Sequence, residues 1–214
     1  MELESNLKNA YAAAYKNACE KLAELDWDVV SLNTNSVYDS KDKSLLLKYM
    51  NRDYRIYCPT GEVTCEEAPE EIATTVKALL LHYLTNAKIK PLSGNLISFK
   101  EIKGGGAIYY QTFRKRAIQP LIKTFGQDAG RLYNAGAKLD GAVEKFGSAG
   151  VTLKIFPLVP VTYVIWQGDE ELPANATILF DDSVSSYLPD EDIVLAASFG
   201  TYELIKYARE VVNL

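Results

Sequence analysis

The hydrophobic period changes several times along this chain, and the order of those changes constrains the fold more than any other feature. In residues 3–25 the positions Leu7, Tyr11, Ala14, Tyr15, Ala18, Leu22 and Leu25 recur at threes and fours, the stripe of an amphipathic helix. Two β-rich runs follow, 44–50 and 54–57, parted by the polar Asn51, Arg52 and Asp53 as in a hairpin. Pro69, Glu70 and Glu71 then open a helix expected to reach about Asn86, with proline in its first turn and acids against its dipole. A short strand, 96–102, leads through Gly104, Gly105 and Gly106 into a helix from Ala107 to Phe125, which Pro120 kinks or splits. A helix over 128–139 follows, weakened by Gly130 and Gly136. Strands are expected at 151–156 and 161–166, joined by residues 157–160, then at 177–180, and a last helix at about 190–212. Helices and hairpin-like strands that mix without strict alternation predict an α+β fold, with mixed or antiparallel sheets and several flanking helices. The same reading expects a helix-and-hairpin N-terminal region, 1–66, packed on a main α+β domain, 67–214.

At 214 residues the chain can bury a substantial core without disulfides or metal. Cys19, Cys58 and Cys65 are odd in number and lack C-x-x-C spacing, which points to free thiols. With His82 as its one histidine, the chain lacks the ligands of a mixed Cys/His zinc site and offers a single base to a Ser-His-Asp triad. No apolar run approaches the roughly 20 residues of a membrane span. The opening MELESNLKNA has neither the basic nor the apolar region of a signal peptide, so the expected location is the cytoplasm and no membrane partner is expected.

Charge is unevenly spread. Residues 155–205 hold no Lys or Arg, yet contain Asp169, Glu170, Glu171, Asp181, Asp182, Asp190, Glu191, Asp192 and Glu203. Residues 86–145 are rich in Lys and Arg instead. The acids have a bland explanation: the run at 190–192 after Pro189 suits the start of a helix, and those in QGDEE and FDDS suit turns at strand ends. The sharper reading holds Asp169, Glu171 and Asp181, with Asp182 beside them, as ligands of a hard divalent cation or as a carboxylate set for acid-base work. No D-x-D-x-D-G or H-E-x-x-H pattern accompanies them.

The glycine run raises the same choice. A strand, three glycines and a helix can aim backbone amides at an anion, and Lys100, Lys103, Arg114 and Arg116 lie near Gly104, Gly105 and Gly106 in sequence. The alternative is a flexible connection beside a solvated basic face, since neither phosphate-loop pattern is present. His82, inside the apolar LLLHYL, reads as a core side chain or, if there is chemistry, as the candidate base. A net charge of −5 and the lack of a binding motif argue against nucleic acid.

Residues 79–196 resemble a family found mostly in anaerobic bacteria and archaea, known as domain of unknown function three-seven-eight-six. The resemblance rests on LLHYL at 80–84, PLSG at 91–94, SFKE at 98–101, Gly104-Gly105, FRKR at 113–116, Phe125-Gly126 and Phe156-Pro157 with Pro160. It continues through WQGDEELPA at 166–174, ILFD at 178–181 and YLPDED at 187–192. Leu172 stands where a larger apolar residue is expected and Asp190 where Thr is expected. The resemblance implies no established activity. Some relatives join this domain to a four-cysteine iron–sulfur segment like those of corrinoid proteins, which implies a redox or corrinoid-related protein partner, although that segment is absent here.

Three functions compete on these residues. The first is an accessory module of anaerobic metabolism that binds an anionic small molecule or cofactor through Lys100, Lys103, Gly104, Gly105, Gly106, Arg114 and Arg116. The second is a metal-assisted hydrolase or lyase using Asp169, Glu171 and Asp181 with His82, and the third is a protein–protein adaptor. The sequence identifies no cofactor and leaves catalysis open.

Overall fold

The computed structural model describes residues 2–67, 71–104 and 106–210. They form two units, one of residues 1–91 with 156–158 and 186–188, the other of residues 92–155, 159–185 and 189–214. The fold is α+β with two open antiparallel sheets, as the mixed periodicity predicts. Among the described residues no helix is long and apolar enough to cross a membrane.

The first unit begins with helix α1 (Glu2–Ala23) and a short helix α2 (Trp27–Thr34) that the sequence reading missed. Asp26 caps α2, accepting from the amides of Asp28 at 3.0 Å and Val29 at 3.2 Å, and the Trp27 indole donates to Leu22 O at 3.0 Å. Strands β1 (Val37–Asp39), β2 (Ser44–Tyr49), β3 (Arg52–Tyr57) and β4 (Val63–Thr64) pair in chain order. Tyr49 opposes Arg52, so the expected hairpin turns through Met50 and Asn51 alone, with Met50 at φ 54°. Arg52 and Asp53 are strand residues whose polarity reads as a loop in the sequence; Asp53 meets the opposing Lys48 at 3.1 Å. Leu45, Leu47, Tyr49, Tyr54 and Ile56 supply the buried positions of this pair.

Helix α3 (Thr74–Asn86) starts later than expected, with Glu71 outside it; Pro69 and Glu70 lie outside the described residues. It packs along α1. Gly61 takes φ 74° where any Cβ would stand 2.5 Å from Cys19 Sγ, and its carbonyl accepts from Tyr15 Oη at 2.8 Å. The Tyr83 ring stacks on Phe156, with centroids 4.2 Å apart, and its hydroxyl donates to Thr34 O at 2.8 Å. Such an aromatic pair is worth about 1 kcal/mol beyond its burial.

The second unit opens with β5 (Leu96–Ser98), which stops three residues after it starts because Ser98 and Glu101 form a capping box. Glu101 Oε2 accepts from Ser98 N and Ser98 Oγ, each at 2.8 Å, and starts a 3₁₀ turn (Phe99–Glu101) inside the expected strand. Helix α4 (Gly106–Phe113) then passes through a π-helical turn (Arg114–Ile118) into α5 (Gln119–Phe125). Pro120 has no N–H for Arg116 O and its ring would collide with that carbonyl, so the chain widens there and Gln119 N reaches back to Arg114 O.

Helix α6 (Arg131–Ala137) is shorter than expected, and Gly136 has a packing role: a Cβ there would stand 2.6 Å from Val151 Cγ1. Strands β6 (Ala142–Glu144), β7 (Ala149–Phe156), β8 (Val159–Trp166) and β9 (Asn175–Asp181) complete a sheet in the order β5-β9-β8-β7-β6. The β7–β8 connection is two residues, not four, because Val159 and Pro160 already belong to β8. Helix α7 (Asp190–Glu210) closes the described chain, and the expected residues 211 and 212 lie outside it. Phe99, Phe113 and Phe180 form one buried cluster, with Phe99 and Phe113 stacked at 4.3 Å. On α7, Ala197 O accepts from the buried Tyr163 hydroxyl at 3.0 Å, and Gly200 leaves the room that hydroxyl occupies.

Candidate functional site

Two acids of the 164–183 stretch, Asp169 and Asp181, accept hydrogen bonds from backbone amides. Asp169 Oδ1 accepts from Leu172 N at 2.7 Å and Glu171 N at 2.9 Å, closing an Asx turn that lowers its pKa below the ordinary carboxylate value. Glu171 is exposed. Asp181 is 3% exposed at the end of β9 and accepts from the amides of Gly94 at 2.7 Å, Ser183 at 3.0 Å and Ser93 at 3.2 Å. Burial alone would raise its pKa, but the hydrogen bonds from Ser183, Ser93 and Gly94 outweigh it and the pKa is lowered. Among the described residues no three His, Cys, Asp or Glu side chains gather as metal ligands. His82 is half-buried on α3 in the first unit, while Asp169, Glu171 and Asp181 belong to the second.

The glycine run also meets its own chain. A Cβ on Gly106 would collide with Phe99 O and crowd Lys100 O, so glycine lets α4 start against the 3₁₀ turn. Gly104 takes φ 114°, beside the Asp190 carboxylate, and Gly105 lies outside the described residues. Lys103 and Arg116 are exposed, and Lys100 Nζ sits 4.2 Å above the Tyr110 ring. Arg114 lines a groove beside α5.

The convergence of cations occurs elsewhere in the second unit. Between the α4–α5 segment and α7 runs a groove of about 820 Å³, lined by Lys115, Lys123, Arg131, Lys206 and Arg209. Gln119, Pro120, Thr124, Tyr202 and Ile205 complete it, and no acid is among the described residues that line it. Helical spacing builds the α7 wall, since positions 202, 205, 206 and 209 fall on one face. Ile205 is buried, whereas Tyr202 is 49% exposed. Arg131 Nη2 donates to Ala208 O at 2.7 Å, which fixes its guanidinium at the C-terminal end of that wall. Lys206 has a partial counter-charge in Glu203, 3.8 Å away and outside the lining. Lys123 and Arg209 occupy last turns of helices, where cations also complement the dipole.

A second groove, about 540 Å³, is lined by Arg114, Gln119, Ile122, Lys123, Pro173, Ala174 and Asn175. Gln119 and Lys123, one turn apart on α5, line both grooves and join them into one cationic face. Sequence reading noticed the basic third but missed this site. Lys206 and Arg209 lie beyond the acidic third, some eighty residues from Lys123, and only the packing of α7 on α5 unites them.

The chain matches the family model described as Domain of unknown function (DUF3786) over residues 26–202, and it belongs to that family. No curated protein and no solved structure matches it.

Proposed function

We propose that the chain is a binding module for an anionic small molecule, held in the groove between α5 and α7. The observation that carries this reading is five cationic side chains around one groove, in a protein whose net charge is −5. Cations spread by chance over an acidic protein would be interspersed with carboxylates. These line a concave surface whose described lining has none, and that concentrates positive potential. The groove lies within the size range of small-molecule sites, about 300–1,000 Å³. Pro120, Tyr202 and Ile205 add apolar surface to the same lining, which is more charged than that of most small-molecule sites.

Inorganic tripolyphosphate is a suitable probe, because it tests charge recognition and nothing else. Calorimetric titration at low ionic strength should give saturable binding that weakens as salt is raised. Replacing Lys206 and Arg209 together with Gln should weaken it by roughly tenfold or more, the scale of a lost charge-assisted hydrogen bond. Absence of binding to the unmodified protein, or equal binding by the double variant, would remove the reading.

A further inference from the structure

We infer that the anion is a nucleoside di- or triphosphate, with its base against Tyr202 and its phosphates among Lys206, Arg209 and Arg131. This rests on the anion-binding reading above and adds the aromatic half of the ligand. The groove is chemically graded along α7. Tyr202 and Ile205 present ring and aliphatic surface, and Lys206 and Arg209 follow on the same face. Seven residues of helix separate Tyr202 from Arg209, roughly 10 Å along the axis, a span comparable with that from a nucleobase to its outer phosphates. Arg131 belongs to the charged end, because its hydrogen bond to Ala208 O ties it one residue from Arg209.

Each end of the groove needs an occupant. A tyrosine ring that is 49% exposed in a concave site is a stacking surface, and Pro120 contributes a second flat apolar face to the same lining. Gln119 and Thr124 add donors and acceptors suited to a base edge or a ribose. At the other end, the guanidinium forks of Arg131 and Arg209 and the point charge of Lys206 suit the dense charge of a polyphosphate, and Lys115 and Lys123 add positive charge along the facing wall. A monocarboxylate brings too little charge to answer five cations. An acidic peptide finds walls made of helices, whose backbone groups already bond within the helix and cannot pair an extended strand.

The test compares ATP, ADP, adenosine and inorganic tripolyphosphate by calorimetry on the whole chain, without divalent cations. ATP should bind roughly tenfold more tightly than tripolyphosphate, the scale of one base stacked on an aromatic ring. Tyr202→Ala should erase that advantage, so that ATP and tripolyphosphate bind the variant alike. Tyr202→Phe should keep the advantage, which guards against a folding artefact, and Arg209→Gln should weaken ATP and tripolyphosphate alike. Equal affinity for ATP and tripolyphosphate overturns the nucleotide inference while leaving the anion reading intact. Displacement of ATP by a short poly-glutamate of equal charge, at lower concentration than by ADP, overturns it in favour of a peptide. If neither ATP nor tripolyphosphate binds, both readings fall together.

Discussion

Asp181 and Arg209 both stand at the ends of long elements in the second unit, and their surroundings differ. Asp181 closes β9 almost entirely buried, with three backbone amides and the Ser93 hydroxyl turned toward its oxygens. Arg209 closes α7 on the wall of a groove where four other cations converge and no described lining residue is acidic. Asp169 repeats the first pattern at the surface, its carboxylate enclosed by the turn it begins. Asp169 and Asp181, which accept from backbone amides, punctuate the fold. The cations gather around an open concavity instead, where Arg131 donates to Ala208 O, Lys206 meets Glu203 and no lining carboxylate offsets their mutual repulsion.

That contrast has measurable consequences, of which the loss of Asp181 should be the largest. Asp181→Ala takes the acceptor from the buried amide of Ser183 and from the amides of the exposed Ser93 and Gly94, and should cost roughly 1–3 kcal/mol of stability. Urea unfolding should show a midpoint well below that of the parent, and a change under about 1 kcal/mol would mean that water replaces the carboxylate. The groove should respond in the opposite sense. Lys206→Gln with Arg209→Gln should move stability by no more than about 0.5 kcal/mol, as for surface changes in general, while anion affinity falls. A large loss of stability in this variant would turn these cations into structural ones and erase the distinction.

Acid sharpens the comparison further. Folding lowers the pKa values of Asp181 and Asp169, so the stability they contribute is complete above the ordinary carboxylate pKa, about 4, and is lost as pH falls through their lower folded values. Unfolding curves between neutral pH and pH 2 should steepen below about pH 4, and Asp181→Ala should flatten that slope. An equal slope in parent and variant would assign the acid sensitivity elsewhere. The smallest effect belongs to Asp169→Asn, which keeps the acceptor that closes the turn. Its melting temperature should stay close to the parent value and above that of Asp169→Ala.

Much of this architecture is readable in the sequence. The period of three and four marked α1, the helix expected from about 190 spans all of α7, and the β-rich runs marked β2, β3, β7, β8 and β9. The misses follow from chemistry that local pattern does not carry. Arg52 and Asp53 resemble a loop because their side chains are polar, yet they sit in a ladder whose inward positions are Tyr54 and Ile56. The S-x-x-E box at 98–101 is visible in the sequence and would have ended β5 correctly. Gly136 reads as a helix weakener because the side chain it admits, Val151, comes from a strand further along the chain. In the candidate site, Arg114 belongs to the basic third noted in the sequence and lines the smaller groove. The main wall of the site was not legible, since Tyr202, Lys206 and Arg209 acquire meaning only when α7 lies against the α5 segment.

Amide chemical-shift mapping of the 23.8 kDa protein during a tripolyphosphate titration tests the central claim most directly, because it reports every region in one experiment. The largest shifts should fall at residues 115–124, around Arg131 and at 202–209, with residues 93–94, 169–172 and 181–183 nearly unmoved. Shifts concentrated at 100–106, or none at saturating probe, would contradict the account.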